Sequence, residues 1–445
     1  MANKKLIFCG SDPKYLAEEL TKDSNKSNGG NAFRIPSLVN ANGVLVAAID
    51  EGATGGDWGF IEVAVRRSYD NGETWTDIET IATPPAREIS TEFKAHATAF
   101  FIDPVMTVAK NGDIVMLVTF FPESKGFHDK RMLDKNKIAH ANHNGDTCLV
   151  IYDRDDNYYL VLPNGDVIDK NKQPTPYKGT DWKGSLYKGD EYVGNIYLNG
   201  SMGKAELERT STTFGAPLKA VKRSYIMMLK SSDQGKTWTD PKDVTGDVLI
   251  KKDGSFFADC PGTGLTTQSG RNIMPLNTTR HTVAIFSDDN GETWRRSKAC
   301  EYSHNIDEWS AVQAADGTIY SFGRQKRFGK TPVSISETDG RLWAKGKRAD
   351  VKAPKCQKNS IVVGDTVYIS HASGKKRENG AISSGKFVFD KNGKVKGINW
   401  SKDKIKINEG FFAYSCMAKI DASTLGVLYE DQPGSHIIFE TFKIK

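Results

Sequence analysis

Long apolar runs are missing from this 445-residue chain, and no stretch approaches the ~20 residues that a membrane-spanning helix needs. The apolar run near the start, Leu6 to Cys9, is too short for the core of a signal peptide, so no targeting or membrane-embedded segment is read. Blocks of five or more like charges are also missing. Lys and Arg number 61 against 55 Asp and Glu, a net charge of +6, and the densest basic spots are 295–298 and 375–378. With no basic stripe and no nucleic-acid module, no nucleic-acid partner is expected. A mildly basic protein suits anionic small substrates instead. Cysteine is sparse: Cys9, Cys148, Cys260, Cys300, Cys356 and Cys416 form no CxxC pair, which argues against structural zinc. Buried free thiols are the reading, although the even count leaves disulfides open. Helical periodicity is rare, with one short amphipathic candidate at 13–22.

What the chain does have is a repeat. "SYDNGETW" (68–75), "SSDQGKTW" (231–238) and "SDDNGETW" (287–294) share S-x-D-x-G-x-T-W, and "SETDGRLW" (336–343) is a worn copy. An Asp carboxylate accepts turn amides, Gly supplies positive φ, and Thr and Trp tie the turn to a sheet. This is the chemistry of a hairpin fastener rather than of a metal or sugar site. Copies 56 and 49 residues apart fit four short strands per unit. The 163 residues between the first two copies leave room for extra blades or an insertion.

Segments that alternate or run apolar like strands surround the repeats: 43–49, 61–68, 113–121, 224–231, 281–287, 318–324, 360–370 and 424–430. Together with the repeats they predict an all-β propeller. Residues 127–221 hold no repeat copy, yet 147–153, 157–162 and 194–198 read as strands. The expected organisation is a propeller from 1–126 and 222–445 with a β-rich insertion at 127–221.

"FRIP" at 33–36, upstream of several such boxes in an all-β chain of this length, resembles the sialidase (neuraminidase) superfamily. The resemblance covers about 32 to 445, and is strongest to bacterial sialidases with a β-rich insertion in an early blade. It implies a six-bladed β-propeller with Asp-box repeats, and a substrate whose terminal α-linked sialic acid carries a carboxylate on the anomeric carbon. The family holds that carboxylate with three arginines, matched here by Arg34, by Arg324 ending "GTIYSFGR", and by Arg377 in "GKKRENG". Bidentate guanidinium pairing is the natural grip on a carboxylate. Arg280 is a competitor that no pattern selects.

A tyrosine nucleophile suits an anionic reaction centre, which would repel a carboxylate; sialidases depart in this way from the two-carboxylate scheme. The resemblance gives Tyr414 in "FFAYSCM" as nucleophile and Glu308 in "NIDEWSAVQ" as its base. In "DEGATGGDWGF" it selects Asp57 as general acid/base on a glycine-flanked loop. Asp103 in "FIDPVM" matches the aspartate near the sugar's 4-hydroxyl, and Glu430 in "VLYE" matches the glutamate that holds the first arginine. Outside this pattern Tyr414 would be a core tyrosine and Asp57 a solvated turn residue. One departure stands out: the arginine that usually follows the Asp at the start of the acid/base loop is absent from Asp50-Glu51-Gly52-Ala53.

The implied activity is retaining exo-α-sialidase hydrolysis through a covalent tyrosyl intermediate, with no metal or cofactor and with sialylated glycans as partners. Transfer to another glycan or to the sugar's own hydroxyl is an alternative, as is an idle sialic-acid-binding propeller. An idle propeller should have lost Tyr, Glu or Asp, and all three match. Sialoglycans lie mostly outside cells, which favours secretion or surface display. In "AFRIPSLV", Phe33 and Ile35 are expected on one face of a strand and Arg34 on the other, with Pro36 ending the ladder.

Overall fold

The computed structural model describes residues 4–10, 32–53, 55–86, 98–128, 137–179, 181–198, 216–254, 256–302, 306–433 and 436–444. The amphipathic candidate at 13–22 lies outside these. Six sheets, antiparallel except where Gly262–Thr263 pairs in parallel with Thr98–Val108, form the blades of a six-bladed β-propeller. The first blade runs Ala32–Ala41, Val44–Gly52, Ile61–Ser68, Glu79–Ala82. The second is Thr98–Val108, Ile114–Ser124, Tyr225–Ser231, Lys242–Asp243, and the third is built on Asn272–Thr278 and Thr282–Ser287. The fourth begins Trp309–Gln313, Ile319–Gly323; the fifth begins Asn359–Val363, Thr366–Ala372. In the sixth, Ser415–Asp421, Thr424–Gln432 and His436–Lys443 are completed by Lys5–Cys9, so the two ends of the chain close the ring. The innermost strands of neighbouring blades pack against each other, and their apolar residues form buried clusters between blades.

The repeats behave as fasteners. In the first, Thr74 donates its amide to Asp70 Oδ1 at 2.8 Å and its hydroxyl to Oδ2 at 2.5 Å, while Gly72 N donates to Ser68 Oγ at 2.8 Å and Trp75 Nε1 to the Gly72 carbonyl at 3.1 Å. The copy at Asp233 repeats this set, and the copy at Asp289 repeats it except for the indole bond, Trp294 Nε1 having no partner among the described residues. Gly72 has φ of +94°, and a Cβ there would run into the Phe439 ring. In the worn copy Thr338 replaces the aspartate and its hydroxyl accepts the Leu342 amide at 2.8 Å. Each box links the third and fourth strands of its blade, on the end of the propeller opposite the starts of the inner strands.

The wide gap between repeats is an insertion within the second blade. Ile114–Ser124 pairs directly with Tyr225–Ser231, and between them an eight-stranded sheet spans His140 to Ala220. It shares a core with its host blade: Tyr197 meets Phe120 edge-on at 4.9 Å, and Trp182 lies 5.8 Å from Phe101.

Three expectations change. The segment 360–370 is not one strand but a hairpin turning at Gly364-Asp365, where Gly364 takes φ of +63°. The strand expected at 194–198 is Glu191–Asn195, so Ile196 to Leu198 follow it. Pro36 does not end its ladder: pairing resumes at Ser37 after a bulge. All six cysteines are buried free thiols, which removes the disulfide option.

Candidate active site

The site is assembled at the starts of inner strands and the ends of second strands, and two X-Pro bulges shape it. In the first inner strand Ile35 has φ of +59° before Pro36, and the register shifts between Arg34 and Ser37. Positive φ is costly for a β-branched residue, so something must hold it. The Ile35 amide, released from the ladder, donates to Glu430 Oε1 at 2.9 Å. In the second inner strand Asp103 has φ of +66° before Pro104, the register shifts between Ile102 and Val105, and the freed Asp103 amide donates to Asp50 Oδ1 at 3.1 Å. The bulge also defeats simple alternation. Phe33 packs beside Phe8 between blades, whereas Ile35 joins the cluster around Tyr414, so the two do not share a face.

Tyr414, immediately before its inner strand, is buried, and its Oη donates to Glu308 Oε1 at 2.6 Å. Arg324 donates through one guanidinium nitrogen to Glu308 Oε2 at 2.6 Å and to Tyr414 Oη at 2.9 Å. The 16-residue spacing of Glu308 and Arg324 is a hairpin: the Arg324 amide donates to the Glu308 carbonyl at 2.7 Å across adjacent strands. Burial, then the Glu308 charge, pushes the Tyr414 phenol well above its ordinary range, with Arg324 pulling the other way. The phenol is therefore neutral at rest, with its proton aimed at a carboxylate.

Arg34 is held from two sides. Its guanidinium donates to Asp57 Oδ1 at 2.5 Å and to the Gly55 carbonyl at 3.2 Å, and its Nε lies 3.8 Å from Glu430 Oε1. Burial opposes the Arg34 charge, but Glu430 and Asp57 outweigh it and keep the group cationic. The Glu430 amide in turn donates to the Tyr414 carbonyl at 3.0 Å. Arg377, half-buried in the loop before Gly380–Phe389, places its guanidinium 5.5 Å from the centre of the Tyr414 ring. The three arginines thus converge on one tyrosine. Arg280 sits exposed in the turn after Asn272–Thr278 and takes no part in these contacts.

The opposite wall is acidic. Asp103 is pushed well up by burial and then by the charges of Asp50, Asp259, Glu308 and Asp57. Burial likewise raises Asp50, and it carries Asp259 to about 8, against hydrogen bonding with Thr119. No guanidinium from the 50–53 segment enters this wall, consistent with the departure in the sequence. Sequence reasoning missed Asp259 and Lys358. Lys358, buried beneath the site, donates to Gln325 Oε1 at 2.8 Å, and burial lowers its amine to about 7. Their signal was position: each lies at an inner strand's end or just before its start, like the residues that were selected.

Residues 211–406 match the BNR repeat-like domain family. A sialidase from Bacteroides fragilis is 28% identical over 242 residues, 50% of this chain and 42% of that protein. Sialidase B from Streptococcus pneumoniae is 24% identical over 334 residues, 69% of this chain and 47% of that protein. The chain spans just under half the length of these curated relatives. Among solved structures, the intramolecular trans-sialidase from Ruminococcus gnavus in complex with oseltamivir carboxylate has the same fold, with a TM-score of 0.75 and 21% identity, over 95% of this chain and 96% of that one. Repeats, fold and relatives point the same way: the chain is similar in sequence to proteins named sialidase and shares a propeller fold with solved sialidase structures.

Proposed function

We propose that the chain is an exo-α-sialidase that releases terminal α-linked sialic acid with retention through a covalent tyrosyl intermediate. The propeller segments 1–126 and 222–445 carry the chemistry, and 127–221 is an inserted β-rich unit. The observation that carries this reading is the Tyr414–Glu308–Arg324 triangle, a neutral nucleophile with its base in hydrogen-bond contact. Arg34, Arg324 and Arg377 bind the carboxylate on the anomeric carbon. Tyr414 Oη attacks that carbon and passes its proton to Glu308, while the bond to the leaving oxygen breaks and Asp57 protonates that oxygen. In the second half Asp57 takes a proton from water, the water oxygen enters on the face that the leaving oxygen vacated and displaces Tyr414 from the opposite one, and Glu308 returns the proton to the phenol. Asp103 faces the sugar from the acidic wall.

A fluorogenic sialoside tests this. Tyr414→Phe is expected to abolish normal turnover, and Arg34→Ala to weaken binding and catalysis together. Full activity in Tyr414→Phe would overturn the mechanism. NMR of the products separates free sialic acid, which the hydrolytic reading expects, from anhydro or transferred sugar.

A further inference from the structure

We propose that His128 is a positioning residue for Asp57, a role that rests on the sialidase reading above. Asp57 stands between two groups. Its Oδ1 is 2.5 Å from the Arg34 guanidinium, and its Oδ2 is 4.0 Å from His128 Nε2. Of the two Asp57 contacts, the Arg34 one cannot persist in a working complex. A substrate carboxylate must occupy that same guanidinium, so it displaces Asp57 by direct competition. Asp50 and Asp103, the other ionisable groups that face Asp57, are carboxylates and repel it. Among the described residues, His128 is the side-chain donor left beside Asp57, with Nε2 4.0 Å from Oδ2, the oxygen not paired with Arg34.

The imidazole is held by its backbone turn and by ring contacts. It ends a short 3-10 turn, Gly126–His128, directly after the long strand Ile114–Ser124, with its amide donating to the Lys125 carbonyl at 3.0 Å and the Gly126 amide donating to Ser124 Oγ at 3.1 Å. Its ring lies 5.0 Å from Trp58 and 5.9 Å from Phe127, and Phe127 in turn leans on Phe256 at 5.0 Å. Trp58 follows Asp57 in the chain, so the Trp58–His128 contact ties the glycine-flanked loop to the fixed turn.

The chemistry follows from the two oxygens. His128 Nε2–H donates to Asp57 Oδ2, leaving Oδ1–H to protonate the leaving oxygen. Negative charge then develops on the Asp57 carboxyl, and the His128 hydrogen bond strengthens as it does so. A contact that is stronger in the transition state than before it accelerates the step. The benefit falls on leaving groups that need the proton, such as a sugar hydroxyl, and scarcely on an aryl oxide that departs unaided.

The experiment compares kcat/KM on sialyllactose and on an aryl sialoside. His128→Phe keeps a ring against Trp58 and removes the donor; His128→Gln keeps a donor. His128→Phe is expected to lose about 10- to 100-fold on sialyllactose and no more than about 3-fold on the aryl sialoside, with His128→Gln restoring the larger part of the loss. Equal losses on both substrates, or no loss on sialyllactose, would overturn the role. A wild-type protein that cleaves neither substrate would instead overturn the sialidase reading itself, and the His128 role with it.

Discussion

Glu430 offers a sharp test because its one carboxylate does two separable jobs. It is buried, it accepts the Ile35 amide at 2.9 Å, and it stands 3.8 Å from Arg34 Nε. Glu430→Gln removes the charge and keeps an oxygen for the amide; Glu430→Ala removes both. Stranding a buried amide costs about 1–3 kcal/mol. Breaking a buried ion pair costs about 3–5 kcal/mol, but Asp57 still pairs with Arg34, so the lower end applies. The expected losses are about 3 kcal/mol for Glu430→Gln and about 4–6 kcal/mol for Glu430→Ala. An unfolding entropy of about 0.9 kcal/mol/K for 445 residues turns these into Tm decreases of about 3 °C and about 4–6 °C. Urea midpoints should keep the same order. Both variants are expected to lower kcat/KM on a sialoside, because Arg34 is no longer fixed. Equal Tm values for the two variants would refute the idea that amide capture stabilises the bulge.

Three further outcomes are expected. Asp233→Ala, in the second Asp box, should cost about 1–3 kcal/mol by urea denaturation. Hydrogen bonds from Thr237 and Ser231, acting against burial, hold the Asp233 carboxyl down at about 2, so its contribution is present above an unfolded value near 3.9 and is lost as pH falls toward about 2. Wild type and variant should therefore converge in stability over that acid range. Asp259 has the opposite sign: it is raised to about 8, so native stability falls as pH rises from about 4 to about 8. Asp259→Asn should gain on wild type between pH 5 and pH 8, read from urea midpoints; a constant difference would contradict the assignment. Arg377→Lys should lower kcat/KM at least about tenfold while leaving Tm within about 1 °C, since an ammonium cannot reproduce a planar two-pronged grip.

Much of this was legible in the chain because the signals were local. The S-x-D-x-G-x-T-W boxes contain both partners of every fastening hydrogen bond within eight residues, so reading them needed no tertiary information. Glu308 and Arg324 are joined by one hairpin, and their spacing carries that geometry. The bulge at Ile35 was not legible. Alternation predicts that Phe33 and Ile35 share a face, and only the Glu430 carboxylate, 395 residues away, makes the positive φ tenable. Pro36 and Pro104 were the available clues, since each removes a ladder donor next to a site residue. His128 carried no signal, because a lone histidine after a strand gains meaning only when the fold places the acid/base loop against it. Asp259 and Lys358 had only their positions, at an inner strand's end and just before another's start, as a signal; their unusual protonation comes from burial and neighbours, which are not written in the residues beside them.

In the proposed mechanism Tyr414 becomes covalently bonded to the sugar. The direct measurement is trapping with a sialic acid bearing fluorine at the anomeric carbon and at its neighbour, followed by mass spectrometry of the digested protein. Fluoride leaves readily, while the second fluorine slows breakdown of the adduct. A sialyl adduct is expected on the peptide that contains Tyr414, formed by wild type and absent in Tyr414→Phe. An adduct on another residue, or sialoside turnover with no adduct at all, would contradict that mechanism.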